Sequence, residues 1–301
     1  MTTSTSLADP ELGRVDDIVN VEQYPLESDS RSQPDPDALR LADSMAERLQ
    51  TTGAATLPGF LRPSALAAIT ADLDAAEPHV PIRRHEASVY HRDALEHDLA
   101  DDDPRLRKNM WHAGHVTRDM IPAYSPAQRL YASWQFKQFI ARCVGQPRVF
   151  EYADPIAGLV ATILPPGGQY PWHYDTNEFV VTIMIREPEA GGAFEYSKDL
   201  RRPGDENLAG LGRVLDGRDT DSITRTSASA GDLQLFLGRY SLHRVTPVTG
   251  QQSRHVLVLS YADRPGVIGP LDRTRSVYGR VTEAHLVAAE RSAAGPDGLV
   301  L

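Results

Sequence analysis

The hydrophobic pattern changes period part-way along the chain. Over Asp37–Gln50, Leu39, Leu41, Met45 and Leu49 fall mostly on one helical face; Asp37 offers a start and Gly53 a stop. Ala54–Leu57 reads as a short strand closed by Pro58-Gly59, and Pro63–Ala76 as a second helix with Ser64 near its start and Pro78 beyond its end. Ser125–Cys143 is again helical: Leu130, Trp134, Phe136, Ile140 and Val144 mark a buried face, which reads as core rather than as a cofactor-binding stripe. From Val149 the texture becomes that of strands. Leu159–Leu164, Glu178–Ile185, Gly192–Tyr196, Leu233–Leu237 and His255–Tyr261 are apolar or β-branched runs separated by Gly and Pro. Short strands of this kind predict a sandwich or jelly roll.

Other segments carry less pattern. Residues 1–36 are polar and acidic and read as a loose tail, with one short ordered piece over Asp17–Tyr24. Residues 79–125 hold six histidines and fit a lid or substrate loop. Lys198–Thr226 reads as a long insertion between strands, and Thr246–Gln252 as a turn. Pro270–Gly279 leaves the sheet, Val281–Arg291 is a final helix, and residues 293–301 form a tail.

Composition narrows the class. The chain has 301 residues, 41% of them hydrophobic and 24% charged, enough for a sizeable core. Its net charge of −10, without a basic run, argues against nucleic acid as a partner. The single cysteine, Cys143, excludes an internal disulfide and a cysteine-based zinc site. No apolar run approaches the ~18 residues that span a bilayer, and Met1–Leu7 lacks a secretory pattern. A cytoplasmic protein with no membrane partner is expected; the oligomeric state is not readable.

The chemistry concentrates in Gln169-Tyr-Pro-Trp-His-Tyr-Asp-Thr-Asn-Glu178. In an extended segment His173 and Asp175 point the same way and can grip one ion. His243, in Gly238-Arg-Tyr-Ser-Leu-His-Arg-Val245, is a third ligand, and Arg254 follows eleven residues later. Two imidazoles and a carboxylate on one face of an iron ion leave the opposite positions open. Arg254 can form a two-pronged pair with a carboxylate.

This ordered set resembles the signature of the Fe(II)/2-oxoglutarate-dependent oxygenases over residues 150–265. The resemblance implies a mainly β fold with flanking helices: a double-stranded β-helix (jelly roll) over 148–265, a helical part over 37–147, and one oxygenase domain over 37–292. It implies Fe(II) on His173, Asp175 and His243, 2-oxoglutarate as co-substrate with its far carboxylate on Arg254, and O2. Oxidative decarboxylation to succinate and CO2 would then drive hydroxylation of an unactivated C–H bond without a protein base. The family often has Ser or Thr two positions after the arginine; Val256 stands there, so the second contact to the co-substrate must come from elsewhere.

The run Trp172–Met184 with Gly191-Gly-Ala-Phe-Glu-Tyr196 is similar to a bacterial subgroup of free-amino-acid hydroxylases and radical halogenases. The halogenases carry Gly where Asp175 stands, so hydroxylation of a small molecule, an amino acid or amino-acid-like natural product, is expected. Desaturation or cyclisation would use the same ligands. A cupin-type metal enzyme without 2-oxoglutarate and a non-catalytic jelly-roll binding protein are rivals. Substrate candidates are Tyr170, Trp172, Thr176 and Asn177 beside the ligands, Arg239 before His243, and Asn109, His112 and His115 in the lid region. His112 and His115 could bind a second metal only with a nearby acid. His79, His85, His91, His97, His255 and His285 read as ordinary histidines.

Overall fold

A computed structural model describes residues 15–27, 35–90 and 99–293. His91 and His97 lie outside the described residues, as does most of each terminal tail. Helix α1 (Pro36–Thr52) starts on Asp35, whose carboxylate accepts from Asp37 N, and stops at Gly53, which takes φ 81°. This is the helix and glycine stop that the sequence predicts. Strand β1 (Ala54–Leu57) and helix α2 (Pro63–Ala76) keep their expected limits. The helix expected over Ser125–Cys143 is two: α3 (Pro126–Ala132) and α4 (Trp134–Cys143). Ser133 sits between them in an extended conformation and its hydroxyl caps α4 by accepting from Phe136 N.

Among the described residues the strands form two larger antiparallel sheets and two two-stranded ones. The larger takes β1, β2 (Arg83–Ala87), β3 (Asn109–Val116), β5 (Leu159–Leu164), β7 (Val180–Arg186), β11 (Leu233–Phe236) and β14 (Arg254–Leu259), in the order β1-β11-β7-β14-β5-β3-β2. The smaller has the order β10-β9-β12-β6, from β6 (Tyr170–His173), β9 (Phe194–Ser197), β10 (Ile223–Thr226) and β12 (Leu242–Val245). The short strands β4 (Phe150–Glu151) and β15 (Tyr261–Ala262) pair with each other, as do β8 (Ala190–Gly191) and β13 (Val248–Thr249). This is a jelly roll with helices on its larger sheet.

Period-2 alternation sorts the large sheet's side chains. Leu159, Ala161 and Ile163 of β5, Val181 and Ile183 of β7, and Leu257 and Leu259 of β14 join the main core. There they meet Met45 and Leu49 of α1, Ile69 and Leu73 of α2, and Phe136 and Ile140 of α4. The intervening Val160, Thr162, Val180 and Val258 face inward and line a cavity. One set of strands thus supplies both the core and the wall of the site.

Three regions depart from the sequence reading. The short ordered piece expected over Asp17–Tyr24 within the tail reaches further: Val15 as well as Ile18 and Val19 is fully buried against the core, and Arg62 N donates to Ile18 O. The stretch 79–125 contributes β2 and β3, paired from Arg83↔Ala113 to Ala87↔Asn109. The insertion over 198–226 contains α5 (Leu208–Leu215), which buries Leu211 and Val214, and edge strand β10. Near the C-terminus, α6 (Leu271–Tyr278) precedes α7 (Glu283–Ala293). Asp154 and His285, both fully buried, join at 2.9 Å and fasten α7 to the loop before β5. Among the described residues no helix is long and apolar enough to cross a membrane.

Candidate metal centre

His243 on β12 and His173 on β6 are cross-strand partners, with ring centroids 4.1 Å apart. Their Nδ1 atoms meet backbone carbonyls, His173 with Pro171 O at 2.7 Å and His243 with Ser241 O at 3.0 Å. Each Nδ1 therefore carries the proton, and the lone pair is on Nε2, the atom a metal takes. Aromatic edges hold the rings: Trp111 lies 4.8 Å from His173, and Phe236 lies 4.8 Å from His243.

Asp175 completes the group. One donor atom from each of His173, Asp175 and His243 lies within 4.8 Å of the others. Asp175 Oδ2 is buried, has no hydrogen-bond donor among the described residues, and stands 3.5 Å from His243 Nε2. Burial alone would raise this carboxyl; the pull of His243, His173 and Arg273 overcomes it and brings the pKa down to about 2. A buried carboxylate oxygen without a donor, beside two imidazoles, is the donor set of a two-histidine, one-carboxylate iron site. The residues fit Fe(II).

β6 reaches the site with one residue too many for simple alternation. His243↔His173 and Val245↔Tyr170 set three residues of β12 against four of β6, a bulge. The bulge lets Tyr170 and His173, three positions apart, both face the cavity. Trp172 is turned to the other face of β6, where it is buried and Arg244 stacks over its ring at 4.5 Å.

Arg254 opens β14, opposite Leu164 on β5. It is buried, its Nε has no partner, and no carboxylate lies within 4.0 Å of it among the described residues. Burial lowers its pKa to about 10, so it stays charged at neutral pH. A Cβ on Gly192 would come within 3.0 Å of the Arg254 Cδ, so this glycine gives the arginine stem its room. A buried guanidinium without an anion is costly, and a carboxylate ligand would relieve it.

At the Val256 position, where the resemblance expects a hydroxyl, the neighbouring strand offers one: Val256 pairs with Thr162 of β5. Thr162 Oγ1 lies 3.4 Å from the Tyr170 hydroxyl, which meets His115 Nε2 at 2.5 Å. Burial lowers the His115 pKa to about 4 and raises that of Tyr170, so both are neutral at pH 7.

The other sequence candidates divide. Tyr170, Thr176, Asn177 and His115 line the cavity, and Tyr152 donates to Asn177 Oδ1 at 2.9 Å. Trp172 packs with Val89, Leu200 and Leu242 instead. Arg239 is exposed and donates to Thr176 O. Asn109 opens β3, two positions before Trp111, and is not one of the residues that line the cavity. His112 and His115, on a strand rather than a helix, do not form a metal group: His112 Nδ1 meets Gly167 O at 3.0 Å. Arg83, Thr162, Arg273 and Tyr278 line the cavity without having been singled out, and so does His85, which the sequence reading took for an ordinary histidine. Only Thr162 carried a sequence signal, an inward polar position in an apolar strand.

The halogenase D family model matches residues 39–271. The chain belongs to the halogenase D family. No curated protein sequence matches this halogenase D family member. Among solved structures, it is similar to AviO1 from Streptomyces viridochromogenes Tue57, at 18% identity over 76% of this chain and 98% of that one, TM-score 0.51. It is similar to SnoN, an epimerase from nogalamycin biosynthesis solved with Fe3+, alpha ketoglutarate and nogalamycin RO, at 16% identity over 76% and 85%, TM-score 0.50. The carbocyclase SnoK of the same biosynthesis aligns at 15% identity over 80% and 92%, TM-score 0.50. At these identities the likeness establishes the fold alone.

Proposed function

We propose that this protein is an Fe(II)- and 2-oxoglutarate-dependent oxygenase that hydroxylates an unactivated C–H bond of a small molecule. His173, Asp175 and His243 would hold the metal, and Arg254 the far carboxylate of 2-oxoglutarate. The metal with its co-substrate supplies the oxidising chemistry, through decarboxylation to succinate and CO2. The chain's own residues orient and exclude. The carbonyls of Pro171 and Ser241 fix both imidazole tautomers. Inward Val160, Val180 and Val258 keep that wall of the cavity apolar, and Thr176 and Asn177 offer polar contacts beside Asp175.

The observation that carries the reading is Asp175. The matching family is named for halogenation, and the similar halogenases have a glycine at this position, which leaves room for halide. Here a carboxylate fills it, with its inner oxygen turned toward His243. That supports hydroxylation over halogenation. The structural neighbours that epimerise and cyclise keep those outcomes open for the same ligands. A small occupant is supported by the cavity, about 190 Å³, below the ~300–1,000 Å³ of drug-sized pockets.

The test is a mass-spectrometric screen of small molecules with Fe(II), 2-oxoglutarate, chloride and O2. Products gaining one oxygen, with equimolar succinate, support the proposal. Chlorinated products without oxygenated ones would replace it by halogenation, and turnover that needs no 2-oxoglutarate would replace it by a different metal enzyme.

A further inference from the structure

We infer that Asp74, Glu77 and His255 form a second cation site, for one divalent ion of the Zn2+ or Co2+ type, between helix α2 and the larger sheet. The inference does not depend on the oxygenase reading. His255 follows Arg254 in β14 and shares the face of Leu257 and Leu259, which meets the helices rather than the cavity. Its side chain is 0% exposed. Nε2 stands 3.1 Å from Glu77 Oε2, yet neither ring nitrogen has a hydrogen-bond partner among the described residues. The carboxylate is close to the ring but out of line for an N–H. Burial lowers the His255 pKa, which leaves a neutral imidazole with a lone pair to give. A fully buried ring without hydrogen bonds is costly, and an ion on Nε2 would relieve it. One donor atom from each of the three residues lies within 4.8 Å of the others. Ligand atoms about 2.0–2.2 Å from one Zn2+ sit closer together than that, and the carboxylates have the freedom to close the gap. The Asp74 side chain is 46% exposed and that of Glu77 29%.

The local charge also calls for a cation. Asp74 lies in the last turn of α2, and Glu77 is the residue that caps its C-terminus. Carboxylates are misplaced there, because the helix dipole already presents negative charge. The last turn holds no basic residue. Arg186 ends β7 and is the cross-strand partner of His255. It pairs with Asp74 and lies 3.6 Å from Glu77 Oε2. One guanidinium against two carboxylates and a helix end leaves the cluster net negative. Arg186 therefore reads as the cation that competes with the ion, and its partly exposed side chain can swing aside. One imidazole nitrogen and two carboxylate oxygens suit Zn2+ or Co2+ better than Ca2+ or Mg2+, which take oxygen ligands. Three protein ligands leave a further position for water. The ion would tie the end of α2 to the strand that opens with Arg254.

The experiment is equilibrium dialysis of the full-length protein, freed of metal, against micromolar Zn2+, with bound metal counted by elemental analysis. Wild type should hold two ions per chain, one at the two-histidine centre and one here. The double variant His173→Ala/His243→Ala should keep one, and its thermal midpoint should rise with Zn2+. Adding His255→Gln or Glu77→Gln to that background should remove both the remaining ion and the rise. Glu77 is partly exposed, so its variant decides the matter where His255→Gln does not fold. Arg186→Gln in the same background should tighten Zn2+ roughly tenfold, because a like charge leaves the site. A cluster that serves only as an ion-pair network would show no such gain. Three outcomes overturn the inference: a folded His173→Ala/His243→Ala chain that binds no Zn2+, Glu77→Gln binding it with unchanged affinity, or Arg186→Gln binding it no more tightly.

Discussion

Gly238 and Asp175 touch in a way that leaves no room for a side chain at 238. A Cβ on Gly238 would lie 2.7 Å from Asp175 Cγ and closer still to Oδ2, while Asp175 N donates to Gly238 O at 3.1 Å. The loop before β12 is thus shaped around the carboxylate. Gly238 is not needed for a left-handed turn; it is needed for its missing atom. Gly238→Ala should displace the Asp175 carboxylate and weaken metal binding by roughly tenfold to a hundredfold, the size seen when a ligand's support is removed. Titration of the apoprotein with Fe(II) or Co(II) reads this directly, with unfolding measured alongside. Unchanged metal affinity would mean that Asp175 is not a ligand.

Replacing the carboxylate itself tests the same ligand by its product. Asp175→Gly should abolish hydroxylation, while His173 and His243 retain their carbonyl-fixed tautomers. Assays in chloride or bromide then show whether the vacated position admits halide. Wild-type hydroxylation rates in this variant would exclude Asp175 from the metal.

Arg254 is predicted to act through the co-substrate alone. Arg254→Ala should raise the 2-oxoglutarate KM by at least about thirtyfold, an effect of about 2 kcal/mol or more for one partner of a buried charge pair. The midpoint for Fe(II) without 2-oxoglutarate should stay within about twofold. Arg254→Lys should recover only part, because an ammonium lacks the planar fork. A KM near that of wild type would place the diacid elsewhere.

The His115–Tyr170 contact gives a pH signature. Burial holds the His115 pKa at about 4, below the ordinary value of about 6.5 in an unfolded chain. Between these values the unfolded state binds more protons, so stability rises with pH through the window and levels off above it. His115 thus contributes a loss of stability on acidification from pH 6.5 toward 4. His115→Gln should flatten that part of the profile, read as urea midpoints at pH 4.5 and 7. Equal slopes in variant and wild type would show that His115 titrates normally.

Much of the centre is legible in the sequence because strand periodicity is simple. Ala54–Leu57, Pro63–Ala76 and Leu159–Leu164 keep their expected limits, since each is bounded by Gly or Pro and buries an apolar face. The spacing of His173 and Asp175 likewise reflects an extended chain. What the sequence hides is structure whose inner face is a cavity. β2, Arg83-Arg-His-Glu-Ala87, shows no apolar alternation because its inward residues Arg83 and His85 meet the site rather than the core. The break at Ser133 is invisible for another reason: the apolar spacing runs on across it. Trp172 and Arg239 look like site residues by proximity in sequence. The β6 bulge and the loop at 238–241 turn them away, and neither feature has a residue signature.

The central claim is that one cluster holds ferrous iron and 2-oxoglutarate together. The most direct measurement is an anaerobic titration of the protein containing Fe(II) with 2-oxoglutarate, followed by visible absorption. A charge-transfer band that saturates at one 2-oxoglutarate per iron, and vanishes in His173→Ala and His243→Ala, is the result predicted. A protein that binds iron through these residues yet shows no band at any excess of 2-oxoglutarate would contradict the account.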